Sequence, residues 1–290
     1  MSARAAIAVF ALALSASGCI AKRSAAWVDP PTPFGTVSEQ ILQDLVADGD
    51  RAWKERADEK KVQEAAQAYG AALRYNPTDA NLLVRLGRIA LRRSSTASRG
   101  AGSSTFLDEA TGYAERALSA RNPKLLAAAR NPKAKPGDVF SLAEPADAPA
   151  LVLYAEALLG WSVIHGTATL LKKRDWITAA ATRALGFDPA VGWAAPNRVL
   201  GTLDCELPHA GENLRDALVR FEAAVAAAPA YLPTRLVYAQ EYATRMSDDA
   251  LYRRLLDQII AGDPNALPEA APENAAAQKA ARKLLRRNGR

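Results

Sequence analysis

Apolar positions recur at intervals of three and four residues along most of the chain, which is the spacing of one face of an α-helix. The clearest case is the stretch 214–229, in which Ala217, Phe221 and Ala224 share one face and Pro229 follows. That face is small, large and small, so a second helix can approach it closely. Pro229 ends the helix because it has no N–H to donate and restricts the residue before it. The stretch therefore predicts the second helix of a tightly packed helical hairpin.

The same order of residue classes occurs earlier in the chain. Ala65, Tyr69, Ala72 and Pro77 follow one another at the same intervals of four, three and five residues. A small-large-small-proline pattern is typical of the second helix of a tetratricopeptide (TPR) repeat. The predicted hairpins end at Pro77, Pro123, Pro189, Pro229 and Pro264. Because these prolines are mostly further apart than the roughly 34 residues of a plain TPR array, we expect degenerate repeats that carry insertions.

Each second helix is predicted to pair with a first helix that precedes it. The first of these begins at a capping box, Thr36–Glu39, and ends near Asp58. The later predicted helices span 79–93, 105–121, 150–171, 176–186, 193–204, 214–229, 231–245 and 248–260. Alanine is abundant and no alternating strand pattern is evident. The predicted fold class is therefore all-α, an array of about five TPR-like antiparallel helical hairpins with a C-terminal capping helix over residues 36–287.

Three segments depart from the regular pattern. Residues 94–104 are rich in serine and glycine and predict a flexible insertion. Residues 121–149 contain four prolines beyond Pro123, namely Pro132, Pro136, Pro145 and Pro149, so we expect an irregular excursion with a short helix at 124–130. The capping helix, 273–287, has one apolar and one basic side. We expect the basic side to be solvated, the alternative being contact with anionic lipid head groups or an acidic partner.

The first eighteen residues have the features of a processing signal. Arg4 precedes an apolar stretch of about 12 residues, which is too short to span a bilayer. Small residues then lead to Cys19, and this sequence resembles the lipobox of bacterial lipoproteins. It predicts cleavage before Cys19 and lipidation of that residue, the alternative being an ordinary secretory signal with a chance cysteine. Ile20 favours the outer membrane, facing the periplasm, and the proline-containing segment 19–35 predicts an extended lipidated tether that holds the fold off the membrane.

Composition argues against catalysis and against nucleic acid as a partner. The net charge of +6 is modest for a protein expected outside the cytoplasm. His165 and His209 lie on different segments, with no cysteine or carboxylate at metal-ligand spacing, and no catalytic or phosphate-binding motif is present. Cys205 is the only cysteine beyond Cys19, so the mature chain has no disulfide and Cys205 is expected to be buried. The sequence predicts no enzyme activity, no cofactor and no metal site.

The order of motifs resembles that of one transporter-associated family. The motifs that carry the resemblance are, in order, the lipobox, the sequence Gly49–Trp53, the helix with Tyr154 and Trp161, the run Ala184–Pro189 followed by Gly192, the pair Leu200–Gly201, Pro208 with Gly211, the residues Ala217, Phe221, Glu222 and Ala224, the pair Tyr238–Ala239 and the pair Asp263–Pro264. Over about residues 36–287 the chain resembles the T-component of tripartite ATP-independent periplasmic (TRAP) transporters. The resemblance implies a periplasmic lipoprotein that forms a homotrimer, docks the transporter's solute-binding protein and passes it a hydrophobic or organic-acid ligand.

The expected binding surface is the concave side of the array, which first helices line. Its aromatic and polar candidates are Trp161, His165, Asn197, Arg235, Tyr238 and Tyr242. Arg235 is the expected anion contact, because its guanidinium can hold a carboxylate by two hydrogen bonds. In the alternative interpretation Trp161 and Tyr238 pack between hairpins and Arg235 is solvated. A general TPR-type scaffold for envelope assembly is the alternative function, which neighbouring transporter genes would argue against.

Overall fold

The computed structural model describes residues 21–97, 100–208 and 210–288. The predicted signal peptide, Cys19 and His209 lie outside these ranges. Within them the chain forms α-helices and no strand, which confirms the predicted all-α class. The α-helices are α1 Glu39–Lys54, α2 Glu59–Tyr75, α3 Ala80–Thr96, α4 Ala101–Arg121, α5 Pro123–Arg130, α6 Pro136–Ser141, α7 Ala148–Ile164, α8 Thr167–Phe187, α9 Val191–Glu206, α10 Ala210–Ala227, α11 Leu232–Val237, α12 Asp249–Ala261 and α13 Ala271–Asn288.

Five antiparallel hairpins follow one another, and α13 caps the last. The pairs are α1–α2, α3–α4, α7–α8, α9–α10 and α11–α12. In the last pair a π-helical turn at Tyr238–Ala243 extends α11. Each of the first four second helices also packs against the first helix of the next pair, as in a repeat array. The short helices α5 and α6 form the predicted excursion, which folds back onto α8 through Phe140 and Trp176, whose ring centroids lie 5.6 Å apart.

The hairpin α9–α10 shows why the small-large-small pattern matters. Ala217, Phe221 and Ala224 are fully buried, as predicted. A Cβ atom added to Gly201 of α9 would lie 3.2 Å from the Phe221 ring, so the glycine is what lets the ring approach. Burying a phenylalanine side chain contributes about 1.5–3 kcal/mol. The local sequence therefore sets both the face and the spacing of the two helices.

Two apolar clusters form the core. The larger one spans the first three hairpins and part of α9, and the smaller one runs from Cys205 to α13. Cys205 is a buried free thiol, as expected, and burial raises its pKa to about 12, which keeps it protonated and unreactive.

Helix α7 is apolar almost all round. Together with the turn before it, the segment Pro145–Ile164 is long and apolar enough to cross a bilayer, but 72% of its most apolar window is buried inside the protein. This burial is what a core helix requires, because an apolar helix without a polar face needs neighbours on every side.

Two predicted boundaries were wrong. The predicted helix 150–171 is broken at His165, because Gly166 adopts a φ of +88° that turns the chain back, and α8 begins at Thr167 instead of Trp176. The predicted insertion 94–104 is largely helical, since α3 continues to Thr96 and α4 begins at Ala101. The hydroxyls of the serines and threonine in α3 donate to carbonyls one turn back, which lets these polar residues remain in the helix.

The N-terminal segment 21–35 forms no helix or strand. It is nevertheless fixed to the helical body and does not stand free of it. Arg23 donates to the carboxylates of Asp108 and Glu115 on α4, and Trp27 packs against Tyr154 of α7 with ring centroids 5.9 Å apart. The expectation that this segment holds the fold off a membrane is therefore not what the described residues show.

Candidate functional site

A cavity of about 310 Å³ lies where the first helices of the hairpins meet. We call it the large cavity, in contrast to a smaller one that adjoins it. Four first helices, α3, α7, α9 and α11, contribute to it, and the ends of α1 and α13 close it. It is lined by Trp53, Arg56, Arg88, Leu91, Arg92, Ser95, Pro149, Val152, Leu153, Glu156, Gly192, Trp193, Arg198, Tyr231, Pro233, Val237 and Glu273. Repeat arrays bind ligands on the side that their first helices line, and this cavity is at that place.

One wall of the cavity is aromatic. The rings of Trp193 and Tyr231 stack with centroids 4.9 Å apart and planes 19° apart. Val152 and Leu153 of α7 extend this wall with aliphatic side chains. Such a surface excludes water and favours an apolar ligand body.

The backbone at the start of α9 places Trp193 in this wall. Gly192, Trp193 and Ala194 have φ values of 59°, 57° and 60°, which belong to a left-handed turn. Trp193 and Ala194 each bear a cost of roughly 1–2 kcal/mol in that conformation, because their Cβ atoms crowd the backbone. Backbone strain of this kind persists only where the surroundings enforce it and tends to occur at functional sites.

Two ion pairs span the cavity wall. Arg198 donates to Glu156 of α7 at 2.6 Å and to the Trp193 carbonyl at 3.1 Å, and its guanidinium lies over the Tyr231 ring. Arg56 pairs with Glu273 of α13 through two hydrogen bonds of 2.6 and 2.7 Å. These four charges neutralise one another and hold α7, α9, α13 and the α1–α2 turn together.

Arg88 and Arg92 of α3 are different, because among the described residues no carboxylate lies within 4.0 Å of either side chain. The Arg88 side chain makes no hydrogen bond to the described residues, and that of Arg92 donates to the Arg56 carbonyl at 3.4 Å. The Arg88 side chain lines the cavity and remains in contact with solvent, and its partial loss of hydration beside the surrounding protein lowers its pKa. The carboxylate of Glu156, which acts to raise that pKa, is already paired with Arg198. Four arginines and two glutamates line the cavity, a net charge of +2. The cavity therefore combines an apolar wall with two guanidinium groups, those of Arg88 and Arg92, that no carboxylate of the described residues neutralises.

A smaller cavity of about 200 Å³ adjoins the first and shares Trp53 and Arg88 with it. Its other lining residues are Asp50, Tyr69 and Arg85. Asp50 accepts a hydrogen bond from the Tyr69 hydroxyl at 2.6 Å and pairs with Arg85 at 2.9 Å. Because that carboxylate already has two partners, the smaller cavity offers Arg88 no neutralising charge.

A family model described as TRAP transporter T-component matches residues 94–290, which is more than half of the chain. The chain belongs to the TRAP transporter T-component family. This family is one of transporter components and not of enzymes. The match begins at Ser94, so the hairpin α1–α2 and most of α3, including Arg88, precede it. No curated protein matches the chain.

Membership indicates that this T-component takes part in TRAP transport at the cell envelope. The all-α repeat array agrees with that role. In the described residues no group of three or more histidine, cysteine, aspartate or glutamate side chains is placed to hold a metal ion.

The six predicted binding residues do not converge on the large cavity. Trp161 is buried and packs against the exposed His165, with ring centroids 4.4 Å apart, and His165 hydrogen-bonds to Ser104. Tyr238 and Tyr242 belong to the smaller core cluster, and their ring centroids lie 5.5 Å apart. The Tyr238 ring stacks on that of Phe221. None of the six lines the large cavity.

The remaining two are placed separately. Asn197 is buried in α9. Arg235 donates to the Pro229 carbonyl at 2.7 Å and to Gln258 at 3.3 Å, and burial lowers its pKa. A binding role for the six in this T-component remains a prediction.

Sequence inspection missed the residues that line the large cavity, although one signal was available. Glu156 is the only charged residue of the otherwise apolar helix α7. A carboxylate in such a helix requires a cationic partner, since an unpaired buried charge is costly. That requirement would have pointed to an arginine on a neighbouring first helix of the T-component.

Proposed function

We propose that this T-component is a lipid-anchored periplasmic protein that binds the solute-binding protein of its TRAP transporter and holds, in the large cavity, the organic acid that is passed between them. The observation that carries the proposal is the cavity itself, which is lined both by Arg88, without a carboxylate partner among the described residues, and by the stacked rings of Trp193 and Tyr231. Such a site fits a ligand with an apolar body and one anionic end.

The volume and the charges support a small carboxylate. At about 310 Å³ the cavity is at the lower end of the range of roughly 300–1,000 Å³ that small-molecule sites occupy. Arg56 and Arg198 are already paired and Arg92 donates to the Arg56 carbonyl, so we assign the ligand carboxylate to Arg88. A planar guanidinium can hold a carboxylate by two parallel hydrogen bonds, which fixes the orientation of the ligand.

The ligand part of the proposal is tested with octanoate as the anionic probe and octanol as its uncharged counterpart, by isothermal titration calorimetry. Arg88→Met should weaken octanoate binding roughly ten- to hundredfold, because a hydrogen bond to a charged group contributes about 1.5–3 kcal/mol. Octanol binding should change little. Arg235→Met is the matched control, since Arg235 lies outside the cavity. Equal octanoate affinity in wild type and Arg88→Met, at unchanged melting temperature, would contradict the proposal.

The partner part of the proposal concerns a different surface. Of the six predicted residues, Arg235 of the last hairpin is partly exposed and His165 is exposed, and we retain these two as candidate contacts for the solute-binding protein. Trp161, Asn197, Tyr238 and Tyr242 are buried and would act by supporting this surface from beneath. Biolayer interferometry with the solute-binding protein of the same transporter should show weaker binding to Arg235→Ala than to wild type. Arg85→Ala, on α3, is the control. Unchanged binding in Arg235→Ala would exclude this surface.

The assembly and location follow from the family resemblance and the N-terminal sequence. We propose lipidation at Cys19, attachment to the outer membrane on its periplasmic side, and a homotrimer. Sedimentation velocity of the purified protein in detergent measures the assembly directly, and a monomeric mass across the tested concentration range would contradict the trimer.

A further inference from the structure

The start of the described chain is attached to the turn between α7 and α8. The backbone N–H of Ala21 donates to the Thr169 hydroxyl at 3.1 Å, and Thr169 is fully buried in the first turn of α8. The same hydroxyl donates to the His165 carbonyl at 3.3 Å, which ties the N-terminal segment to both helices of the hairpin.

A buried ion pair holds the next residues in place. The Arg23 side chain, which is 4% exposed, donates to Glu115 at 2.5 and 3.1 Å and to Asp108 at 2.6 Å. The backbone N–H of Ala26 donates to the same Glu115 carboxylate at 2.5 Å. Removing Arg23 would leave the buried Glu115 charge without its cationic partner, so the segment cannot detach without a large cost. Ala21 is therefore fixed beside the turn between α7 and α8.

The surface beside Ala21 is apolar and cationic. Val163 and Ile164 at the end of α7 and Leu171 in α8 are 37%, 39% and 44% exposed. They are three of the nine large apolar side chains that are exposed among the described residues, and they lie within nine positions of one another. Lys172 and Lys173 follow directly. We call these five residues the α7–α8 tip.

The two lysines of the tip retain an uncompensated charge. Arg174 pairs with Asp175 at 3.0 Å, but among the described residues neither Lys172 nor Lys173 has a carboxylate within 4.0 Å. Burial and then the charge of Arg23 lower the pKa of Lys173, while the Glu115 carboxylate, which is paired with Arg23, acts in the opposite direction. A negatively charged surface placed against the tip would offset this repulsion.

The predicted lipid anchor is close to the tip. Ile20 alone separates Cys19 from Ala21, and these two residue steps span at most about 7 Å. The head-group layer on each side of a bilayer is roughly 5–8 Å thick, the difference between its total thickness and its hydrocarbon core shared between two sides. An acylated Cys19 would therefore bring the tip into the head-group layer.

We infer that the α7–α8 tip docks on a phospholipid membrane containing anionic lipids, with Val163, Ile164 and Leu171 entering the head-group layer and Lys172 and Lys173 contacting lipid phosphates. This inference rests on the lipidation of Cys19 proposed above. It gives the protein one orientation on the membrane. Glu156 of the cavity lies eight residues before Ile164, which is about 12 Å along α7, so the cavity lies outside the membrane but near it.

The test uses the lipidated protein in vesicles of phosphatidylethanolamine and phosphatidylglycerol, with a nitrobenzoxadiazole label on a single introduced cysteine. Leu171→Cys should show a blue-shifted emission and strong quenching by head-group spin-labelled lipid. Val219→Cys is the control, since Val219 is 64% exposed but lies on α10, and its label should behave as in water. The buried Cys205 is not expected to react. Lys283→Cys on the basic side of α13 reports the competing orientation.

The outcomes separate the two proposals. A mature chain without the added acyl mass in mass spectrometry overturns both the lipid anchor and the tip inference. An acylated chain whose Leu171 label is no more quenched than the Val219 label, or less quenched than the Lys283 label, overturns the tip inference alone. Replacing Lys172 and Lys173 by glutamine should reduce the quenching at Leu171. Each lysine removed should lower the equilibrium constant for contact between the tip and the membrane about fivefold. The protein with both lysines should show the same reduction in vesicles of phosphatidylcholine alone, which carry no net charge. Equal quenching in these vesicles and in those containing phosphatidylglycerol would contradict the proposed contact between the lysines and anionic lipids.

Discussion

The Arg56 guanidinium holds the Glu273 carboxylate by two hydrogen bonds of 2.6 and 2.7 Å, although 217 positions separate the two residues. Arg56 lies in the turn between α1 and α2, and Glu273 lies in the first turn of α13. Arg56 also donates to the backbone carbonyls of Trp53 and Glu269. The contact joins the first hairpin to the capping helix, so the array closes on itself around the cavity.

Replacing Arg56 by methionine should lower the free energy of unfolding by about 3 kcal/mol, because breaking a largely buried ion pair leaves its partner uncompensated. Chemical denaturation measures this change. Arg51→Met is the matched control. The pair Arg51–Asp48 lies in α1, close to Arg56 in sequence, but its side chains are 72% and 58% exposed, and exposed pairs contribute roughly 0–1 kcal/mol. Similar losses in the two variants would show that closure of the array does not depend on Arg56.

The hairpins could be predicted from sequence because their determinants are local. Ala217, Phe221 and Ala224 specify a face within eight residues, and Gly201 on the preceding helix accommodates Phe221. A contact such as Arg56–Glu273 has no local signal, since any of the many arginines and glutamates could pair across such a separation. Which ends of a repeat array meet depends on the sum of small rotations between repeats, and insertions between degenerate repeats change that sum.

The cavity was missed for a related reason. Its aromatic wall depends on the left-handed turn at residues 192–194, and neither tryptophan nor alanine favours positive φ. A helical projection through this stretch therefore places Trp193 on the wrong side. The predicted continuation of α7 past Gly166 has the same origin, because a glycine in a helical pattern does not by itself show that the chain reverses there.

Gly49→Ala should destabilise the first hairpin. An added Cβ would lie 2.3 Å from Cε1 and 2.5 Å from Cδ1 of the Tyr69 ring. That ring is buried and its hydroxyl is held by Asp50, so it cannot move aside. We expect a loss of about 1–3 kcal/mol in thermal or chemical denaturation.

Gly70→Ala provides the contrast to Gly49→Ala. Gly70 lies in the middle of α2 with nothing within 4 Å of an added Cβ. Because alanine is the better helix former, this change should stabilise the protein by up to about 1 kcal/mol. Equal effects of the two substitutions would contradict the close packing of α1 on α2.

Cys19→Ala should release the protein from the membrane. The small residues before Cys19 predict lipidation there, and several acyl chains on one residue give stable anchoring where a single chain would not. Fractionation of cells into membrane and soluble periplasmic material measures the change. Cys205→Ala, which removes the buried thiol, is the control and should leave the distribution unaltered. Continued membrane association of Cys19→Ala in high salt would argue against lipidation.

Asp204, at the end of α9, gives the protein a pH-dependent stability. Burial and then the charge of Asp216 on α10 raise its pKa to about 6 from an ordinary value of 3.8. The folded state therefore binds a proton more tightly than the unfolded state does. The stability that this proton confers is fully present below pH 3.8 and is lost as the pH rises through about 6.

Asp204→Asn should consequently raise the free energy of unfolding at about pH 7.5 but not at about pH 4, because asparagine resembles the protonated acid at both pH values. The shift of about two pKa units corresponds to at most about 3 kcal/mol, and solvent screening at this partly exposed site reduces the expected gain to about 1 kcal/mol. Melting temperatures across this pH range measure the difference. Asp216→Asn should give a smaller gain with the same pH dependence, since it removes only the second cause of the shift. A gain for Asp204→Asn that is equal at both pH values would mean that packing, and not the ionisation of Asp204, is responsible.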